Sequence, residues 1–225
     1  MIIVTGASSG VGLYLFNELR QIDEIVGFYN STPPKNNNED YYLLDITSGS
    51  AVEEFVKNFG SRLSNIVLIN CAGITYNAFA HKTDLEEWNK VIDVNLKGTF
   101  NVIKNLLPIM RAEKYGRIIN LSSVVAIKPT PGVSAYSASK AALSGMVKSL
   151  AVENARFNIL INNIDLGYSE LGMIKQVPEA FLNKIKENIP SENLCPKEEI
   201  KRTVMYLIDS TYINGSSINL SGGLI

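Results

Sequence analysis

The stretch IIVTGASSGVG, residues 2–12, decides how the rest of the chain is read. Ile2, Ile3 and Val4 suit a short strand buried on both faces, and the glycines at 6, 10 and 12 turn the chain out of it. Leu13, Phe16 and Leu19 then fall on one helical face. A strand, a glycine turn and a helix make the first half of a βαβ unit. The helix start presents unpaired N–H groups and the positive end of a dipole, a favourable place for an anion. Gly6, Gly10 and Gly12, with Ser8, Ser9 and Val11 between them, let the backbone approach a pyrophosphate closely. Such a turn also occurs as a mere tight connection, so its meaning depends on the elements beyond it.

Beyond residue 20, strand and helix patterns alternate. Residues 24–29, 41–44, 66–69, 117–121 and 159–164 read as further strands. Helical patterns cover 50–59, a segment opened by Thr83 and Glu86 as a capping box, 94–110 with Asn95 inside it, and 133–157. There are no internal repeats and no low-complexity linkers. The fold class expected is α/β: a single-domain doubly wound parallel sheet over residues 1–225, with helices on both faces, which is the Rossmann fold. Ligands bind such sheets at the carboxyl ends of the strands. Gly6, Asp45, Asn70, Gly73 and Ser123 all fall at such ends.

Composition narrows the function. With 21 basic and 22 acidic residues spread along 225, there is no basic stripe to track a phosphate backbone, so nucleic acid is not an expected partner. Two cysteines, Cys71 and Cys195, cannot build a disulfide framework, and Cys71 reads as a small buried filler. The single histidine, His81, sits in a polar loop and reads as exposed and inert; no metal site is expected. The chain runs straight into its first strand without a charged leader or a span for a bilayer, so a cytoplasmic protein with no membrane partner is expected.

The chemistry is carried by SAYSASKAA, residues 134–142. Tyr136 and Lys140 stand four apart, on one face of a helix. An unperturbed tyrosine has a pKa of about 10, and bringing it to about 7 takes roughly 4 kcal/mol in favour of the phenolate. One ammonium at about 4 Å supplies on the order of 4 kcal/mol at an effective dielectric near 20, against the desolvation of both groups. The pair therefore works as an acid only if the lysine is close and fixed. Ser123, ending an apolar run thirteen residues earlier, is placed to hydrogen-bond the oxygen on which the tyrosine acts. The small residues around the pair, Ser139 among them, read equally well as packing.

An acid at the end of the second strand usually binds the ribose 2′-hydroxyl of NAD, but here Tyr29 is followed by Asn30, Ser31 and Thr32, with Lys35 near. NADP(H) is the favoured cofactor and NAD(H) the alternative. The rest of the segment to Asp40 reads as a solvated loop too short for a helix.

Taken together, TGASSGVG, Asp45, NCAG at 70–73, Asn95, RIINLSS, Tyr136 with Lys140, and INGSSINLSGG at 213–223 resemble a short-chain dehydrogenase/reductase of the 3-oxoacyl-acyl-carrier-protein reductase type, nearly end to end. The resemblance implies that Tyr136 is the general acid/base, that Ser123 orients the carbonyl, that Lys140 lowers the tyrosine pKa and binds the nicotinamide ribose, and that Asn95 holds a water in a proton relay. It also implies that Gly6, Ser8, Gly10, Val11 and Gly12 line the pyrophosphate and its ribose; Ser9 in the same turn, and Asn30 and Ser31 at the 2′ position, are further candidate cofactor contacts from the reading of those segments. Asp45 and Ile46 would meet adenine, while Asn70, Ala72 and Gly73, with Gly167, would pass beside ribose and nicotinamide. Dimers or tetramers form in that family through the long helices and the last helix and strand. Where the family has Pro-Gly and then a threonine that anchors the carboxamide, this chain has Leu166, Gly167 and Leu171. Leu171 has no side-chain donor.

The expected reaction is reduction of a carbonyl to an alcohol by hydride transfer. Its substrate would lie under a lid at 167–195, where Tyr168, Leu171, Met173, Ile174, Val177, Phe181 and Leu182 offer an apolar lining suited to an acyl group, free or carrier-bound. Lys114, Arg117 and Arg156 are candidate contacts for an acidic carrier. The rivals are a sugar or polyol dehydrogenase of the same family and a nucleotide-binding regulator without turnover.

Overall fold

The structure, a computed structural model, describes residues 1–225 apart from 36–38, 129, 173, 175 and 176, and apart from the side chains of Ser61, Ala180 and Phe181. Seven strands form its sheet: β1 (Ile2–Thr5), β2 (Ile25–Tyr29), β3 (Tyr41–Leu43), β4 (Val67–Asn70), β5 (Gly116–Ser123), β6 (Ile159–Leu166) and β7 (Ser217–Leu220). They lie in the order β3-β2-β1-β4-β5-β6-β7, every pairing parallel. The order reverses between β1 and β4, which opens a crevice at their carboxyl ends. The expected six strands are present; β7 comes from the INGSSINLSGG segment, which reads as an edge strand only once β6 is beside it.

Helices cover both faces as expected. Helices α2 (Gly49–Phe59), α4 (Thr99–Glu113) and α5 (Ser134–Asn154) close one side over Phe55, Ile103, Val147 and their neighbours. Helices α1 (Gly10–Leu19) and α7 (Lys197–Asp209) close the other over Leu15, Phe16, Ile200 and Val204. Two shorter helices among the described residues are α3 (Leu85–Ile92) and α6 (Glu179–Glu187). Among the described residues no helix is long and apolar enough to cross a membrane, and the described part of the loop from Asn30 to the start of β3 holds no helix.

Two local expectations are corrected. Asp84, not Thr83, caps α3: its carboxylate accepts from the Glu86 amide at 2.8 Å, while the Thr83 hydroxyl donates back to the Phe79 carbonyl. A carboxylate at the cap also meets the positive helix end, which favours it over the hydroxyl one residue earlier. Residues 93–98 form a π-helical turn ahead of α4 rather than α-helix. Gly98 ends this turn against Ile46, where a side chain would come within 2.8 Å.

Strand β5 is wholly buried although half its residues are polar. One of its polar side chains, Asn120, is paired across the sheet on both sides, in register. Thr5 donates to Asn70 (3.4 Å), Asn70 to Asn120 (2.9 Å), Asn120 to Asn163 (3.1 Å) and Asn163 to Ser217 (3.2 Å), one residue from each of five adjacent strands. Each such bond contributes about 1 kcal/mol net, and each partner left alone would cost about 1–3 kcal/mol, so the rung specifies register more than it adds stability. At the other end of β5, the buried Arg117 guanidinium is committed to the carbonyls of Ile208, Gly116 and Asn158. It is therefore not a surface contact for a carrier. Its place near the start of this eight-residue strand also puts it roughly 20 Å from the carboxyl end.

Candidate active site

Strand β5 delivers Ser123 to the crevice, and α5 brings Tyr136, Ser139 and Lys140 over it on one helical face. Helix α5 packs closely on the sheet because Ala135, Ser139 and Leu143 lie on its buried face. The Ser123 hydroxyl is near enough to the Tyr136 phenol to lower its pKa and accepts weakly from the Val125 amide at 3.4 Å. The Lys140 ammonium donates to the Leu121 carbonyl at 2.7 Å and stands 5.7 Å from the centre of the Tyr136 ring. The three residues expected to react are together.

Their electrostatics differ from expectation in one respect. Burial pushes the Tyr136 phenol above its ordinary value, and Ser123 pulls it back down. The Lys140 ammonium is held on Leu121 beside the ring, and burial draws Lys140 itself down to about 8, with Cys71 and Asp165 holding it up.

The Asn95 side-chain amide is committed to protein groups. Its Oδ1 accepts from the Ile74 amide (2.8 Å), and its Nδ2 donates to the Ile74 carbonyl (2.9 Å) and the Ser139 hydroxyl (3.0 Å). Ser139 in turn donates to the Tyr136 carbonyl at 2.7 Å. Asn95 is thus a staple between the loop after β4 and the helix that carries Tyr136. The π-helical turn presents it, and Ser139, read from sequence as packing, is its other half.

The glycine turn is arranged for a nucleotide. Gly6 and Gly10 have positive φ (66° and 54°), which a side chain would strain. A methyl group on Gly6 would lie 2.8 Å from the Ala72 backbone, so β1 and β4 leave only bare backbone there. Ser9 makes no side-chain cap on α1, which leaves the first-turn amides of Gly10, Val11 and Gly12 to an anion at the mouth of the helix. Ser8 is half-buried and Ser9 exposed in this turn. Gly73 lies under the catalytic group: a methyl there would come 3.3 Å from Asn95 Oδ1 and 3.6 Å from Lys140 Nζ. These residues fit a dinucleotide laid from α1 towards Lys140.

Other expected contacts are only partly brought in. Asn30 and Ser31 are exposed beyond β2. Asp45 spends an oxygen on the Thr47 amide and hydroxyl. Ile46 turns its side chain into the core below α4 and its carbonyl to Asn101, so its side chain is not at the adenine. Gly167 is packed against Ser221, with its amide on the Leu220 carbonyl.

The two ends of the 167–195 segment are tied by Cys195, whose amide donates to the Tyr168 carbonyl and whose carbonyl accepts from the Glu170 amide. Leu171 does not line the reacting centre. It packs with Leu166 into the core on the α1 side, and with Gly172 borders a cavity against Gly10, Leu13, Tyr14 and Asn17. Tyr168 is exposed, and Ile174, Val177 and Leu182 are half-buried; the lining expected of Met173 and Phe181 lies outside the described residues. Burial pushes the Cys71 thiol up to about 12, in keeping with an inert filler.

One residue of the site is not picked out by the sequence motifs. Asp165, on β6 in register with Ser122, is fully buried beside Lys140. Its signal in the sequence is a lone carboxylate in the otherwise uncharged strand ILINNIDL.

A family model described as short chain dehydrogenase matches residues 1–180. A 3-oxoacyl-(acyl-carrier-protein) reductase of Thermotoga maritima is 34% identical over 240 residues, covering 99% of this chain and 96% of the relative. An acetoacetyl-CoA reductase of an Acinetobacter species is 33% identical over 238 residues, with 99% and 96% covered. Among solved structures, the ligand-free aldohexose dehydrogenase of Thermoplasma acidophilum superposes with a TM-score of 0.90 at 25% identity, over 99% of this chain and 92% of that one.

Proposed function

The chain belongs to the short-chain dehydrogenase family, an NAD(P)-dependent oxidoreductase class acting on CH–OH and C=O groups, and from that premise we propose that it reduces a 3-oxoacyl thioester with NADPH. The observation that carries the reading is the convergence at the carboxyl end of β5 of Ser123, whose hydroxyl draws the buried Tyr136 phenol down, and Lys140, 5.7 Å from the centre of the same ring. The nicotinamide, when bound, supplies the hydride to the carbonyl carbon. Tyr136 hands its phenolic proton to the carbonyl oxygen, and Ser123 donates to that oxygen as charge gathers on it. The Lys140 ammonium steadies the phenolate that Tyr136 becomes and would hold the ribose hydroxyls of a bound nicotinamide nucleotide. The first-turn amides of α1 would hold its pyrophosphate, with Gly6, Ala72 and Gly73 giving it and the ribose room. Exposed Asn30, Ser31 and Lys35, with no acid at the end of β2, favour a 2′-phosphate over a bare ribose. The acyl preference follows the two thioester reductases among the relatives. We take the protein to be a homodimer or homotetramer, because exposed Phe100 borders a cavity of about 500 Å³ with Leu96 and Met146 between α4 and α5.

A second reading, an aldose or polyol dehydrogenase, is favoured by the superposition on aldohexose dehydrogenase. Nicotinamide absorbance in the near ultraviolet, followed with acetoacetyl-CoA, aldohexoses and polyols and with each cofactor, separates the two. Acetoacetyl-CoA with NADPH should give the highest kcat/KM. Preferred oxidation of an aldohexose would replace this reading with the second, and no turnover on any of them would overturn both.

A further inference from the structure

The rung one step nearer the site than the asparagines is unlike the rung below it. Asn70, Asn120 and Asn163 pair fully across the sheet, but two residues on, Ser122 of β5 faces Asp165 of β6 and the pairing stops. Asp165 is 0% exposed, and neither of its carboxyl oxygens has a hydrogen bond of normal geometry. The Ser122 hydroxyl opposite it is turned to the Lys140 carbonyl at 3.3 Å. A buried, unpartnered carboxyl is costly, and such groups persist where a charge compensates them or a function needs them. The charge is at hand. Lys140, 5% exposed, holds its ammonium on Leu121, the residue next to Ser122 on β5. The two groups act on one another: burial raises the Asp165 carboxyl while Ser122 and, after it, Lys140 pull it down, and burial lowers the ammonium while Cys71 and Asp165 hold it up.

We propose that Asp165 is a positioning residue of the site, a buried counter-charge that keeps Lys140 protonated where it stands against Tyr136. The other titratable groups facing Lys140 do not replace it. Cys71, after β4, is a neutral thiol over the working range, since its own pKa is pushed up to about 12. Tyr136, on the same helix, is neutral until it gives up its proton, and its phenol is raised by burial. Asp165 alone, of these groups, is a carboxylate. The arrangement puts a carboxyl in register with Ser122, next along β5 from the Leu121 carbonyl that holds the lysine. The charge of Lys140 thus outlasts its own burial and is present when a phenolate forms. The cost is an unpaired carboxyl in the sheet, a sacrifice of stability of the kind found at functional sites.

The inference rests on Tyr136, Ser123 and Lys140 being the reacting set, and the test separates the two. Protein labelled at lysine Cε and aspartate Cγ with ¹³C is titrated by NMR, with Lys140 assigned through Lys140→Arg, and kcat/KM for acetoacetyl-CoA is followed over the same pH range. In the parent, Lys140 should titrate near 8, and the Asp165 signal should record a second inflection at that same pH, as coupled groups do. In Asp165→Asn and Asp165→Ala, the Lys140 midpoint should fall by about one pH unit or more, the usual effect of removing a neighbouring opposite charge. The alkaline limb of kcat/KM should fall with it while the acid limb stays. Asp165→Ala also removes the unpaired carboxyl, so it should melt no lower than the parent. A Lys140 midpoint unmoved in the variants, an equal loss of activity at every pH, or no coupled inflection in the parent would each overturn the proposal; the last needs no variant to fold. Coupled titration in a protein that reduces no carbonyl would sink the assigned reaction and leave the pairing standing.

Discussion

Gly12 lies directly against Gly6: a methyl on the α-carbon of Gly12 would come 2.2 Å from the Gly6 carbonyl oxygen and 3.2 Å from the Cys71 side chain. The third glycine of the turn is there for helix α1 to sit on strand β1, while the first, at Ala72, is there for β1 to meet β4. Gly12→Ala should cost about 1–3 kcal/mol or more, since the obstacle is backbone and cannot swing away. Gly145, inside α5 with nothing within 4 Å of a methyl, is the control. Gly145→Ala should gain about 1 kcal/mol of helix propensity. Urea denaturation of the two variants checks the contrast, and equal stabilities would contradict it.

Lys140 makes stability depend on pH. Its pKa is about 8 in the folded protein and 10.5 in the unfolded chain. Between those values the unfolded chain binds a proton that the folded protein lacks, so this residue's contribution to stability rises with pH across that window. The displacement corresponds to about 3 kcal/mol. Urea unfolding of the parent and of Lys140→Met, compared at about pH 7.5 and about pH 10, should show the parent gaining on the variant by an amount of that order. Parallel curves would mean that the lysine is not held desolvated.

Tyr136→Phe removes the proton donor and the partner of Ser123 and changes nothing else on the buried face of α5. Turnover should fall by about 10²-fold or more, the ordinary share of a general acid. Dinucleotide binding, followed by fluorescence titration, should stay near the parental value. If the Tyr136→Phe variant turned over at the parental rate, the proton transfer would have to be moved to another group.

Asn120 is the middle of the polar rung across the sheet. Asn120→Leu would leave the Asn70 amide donor and the Asn163 carbonyl buried without their partner. About 2–5 kcal/mol should be lost, from two stranded groups at about 1–3 kcal/mol each. Amide hydrogen exchange should accelerate along β4, β5 and β6 while β2 and β3 stay protected. Unchanged exchange would mean that the apolar faces alone set the register.

Much of this is legible in the chain itself. Strand-turn-helix periodicity from residue 2 onward, apolar runs such as 66–69 and the i, i+4 spacing of Tyr136 and Lys140 are local properties, each carried by residues close together in sequence. They suffice for a doubly wound parallel sheet, for its ligand edge and for the reacting trio. Long-range geometry decides the rest. Asn95 becomes a staple because Ile74 and Ser139, 21 and 44 residues away, consume its amide. Ile46 goes into the core because Gly98 leaves it space, and Leu171 goes to α1 rather than over the substrate. The direction of the Tyr136 and Lys140 pKa values, and the presence of Asp165 behind them, depend on burial and on the register of β5 with β6. Desolvation is a property of everything that surrounds a group, and no spacing along the chain encodes it.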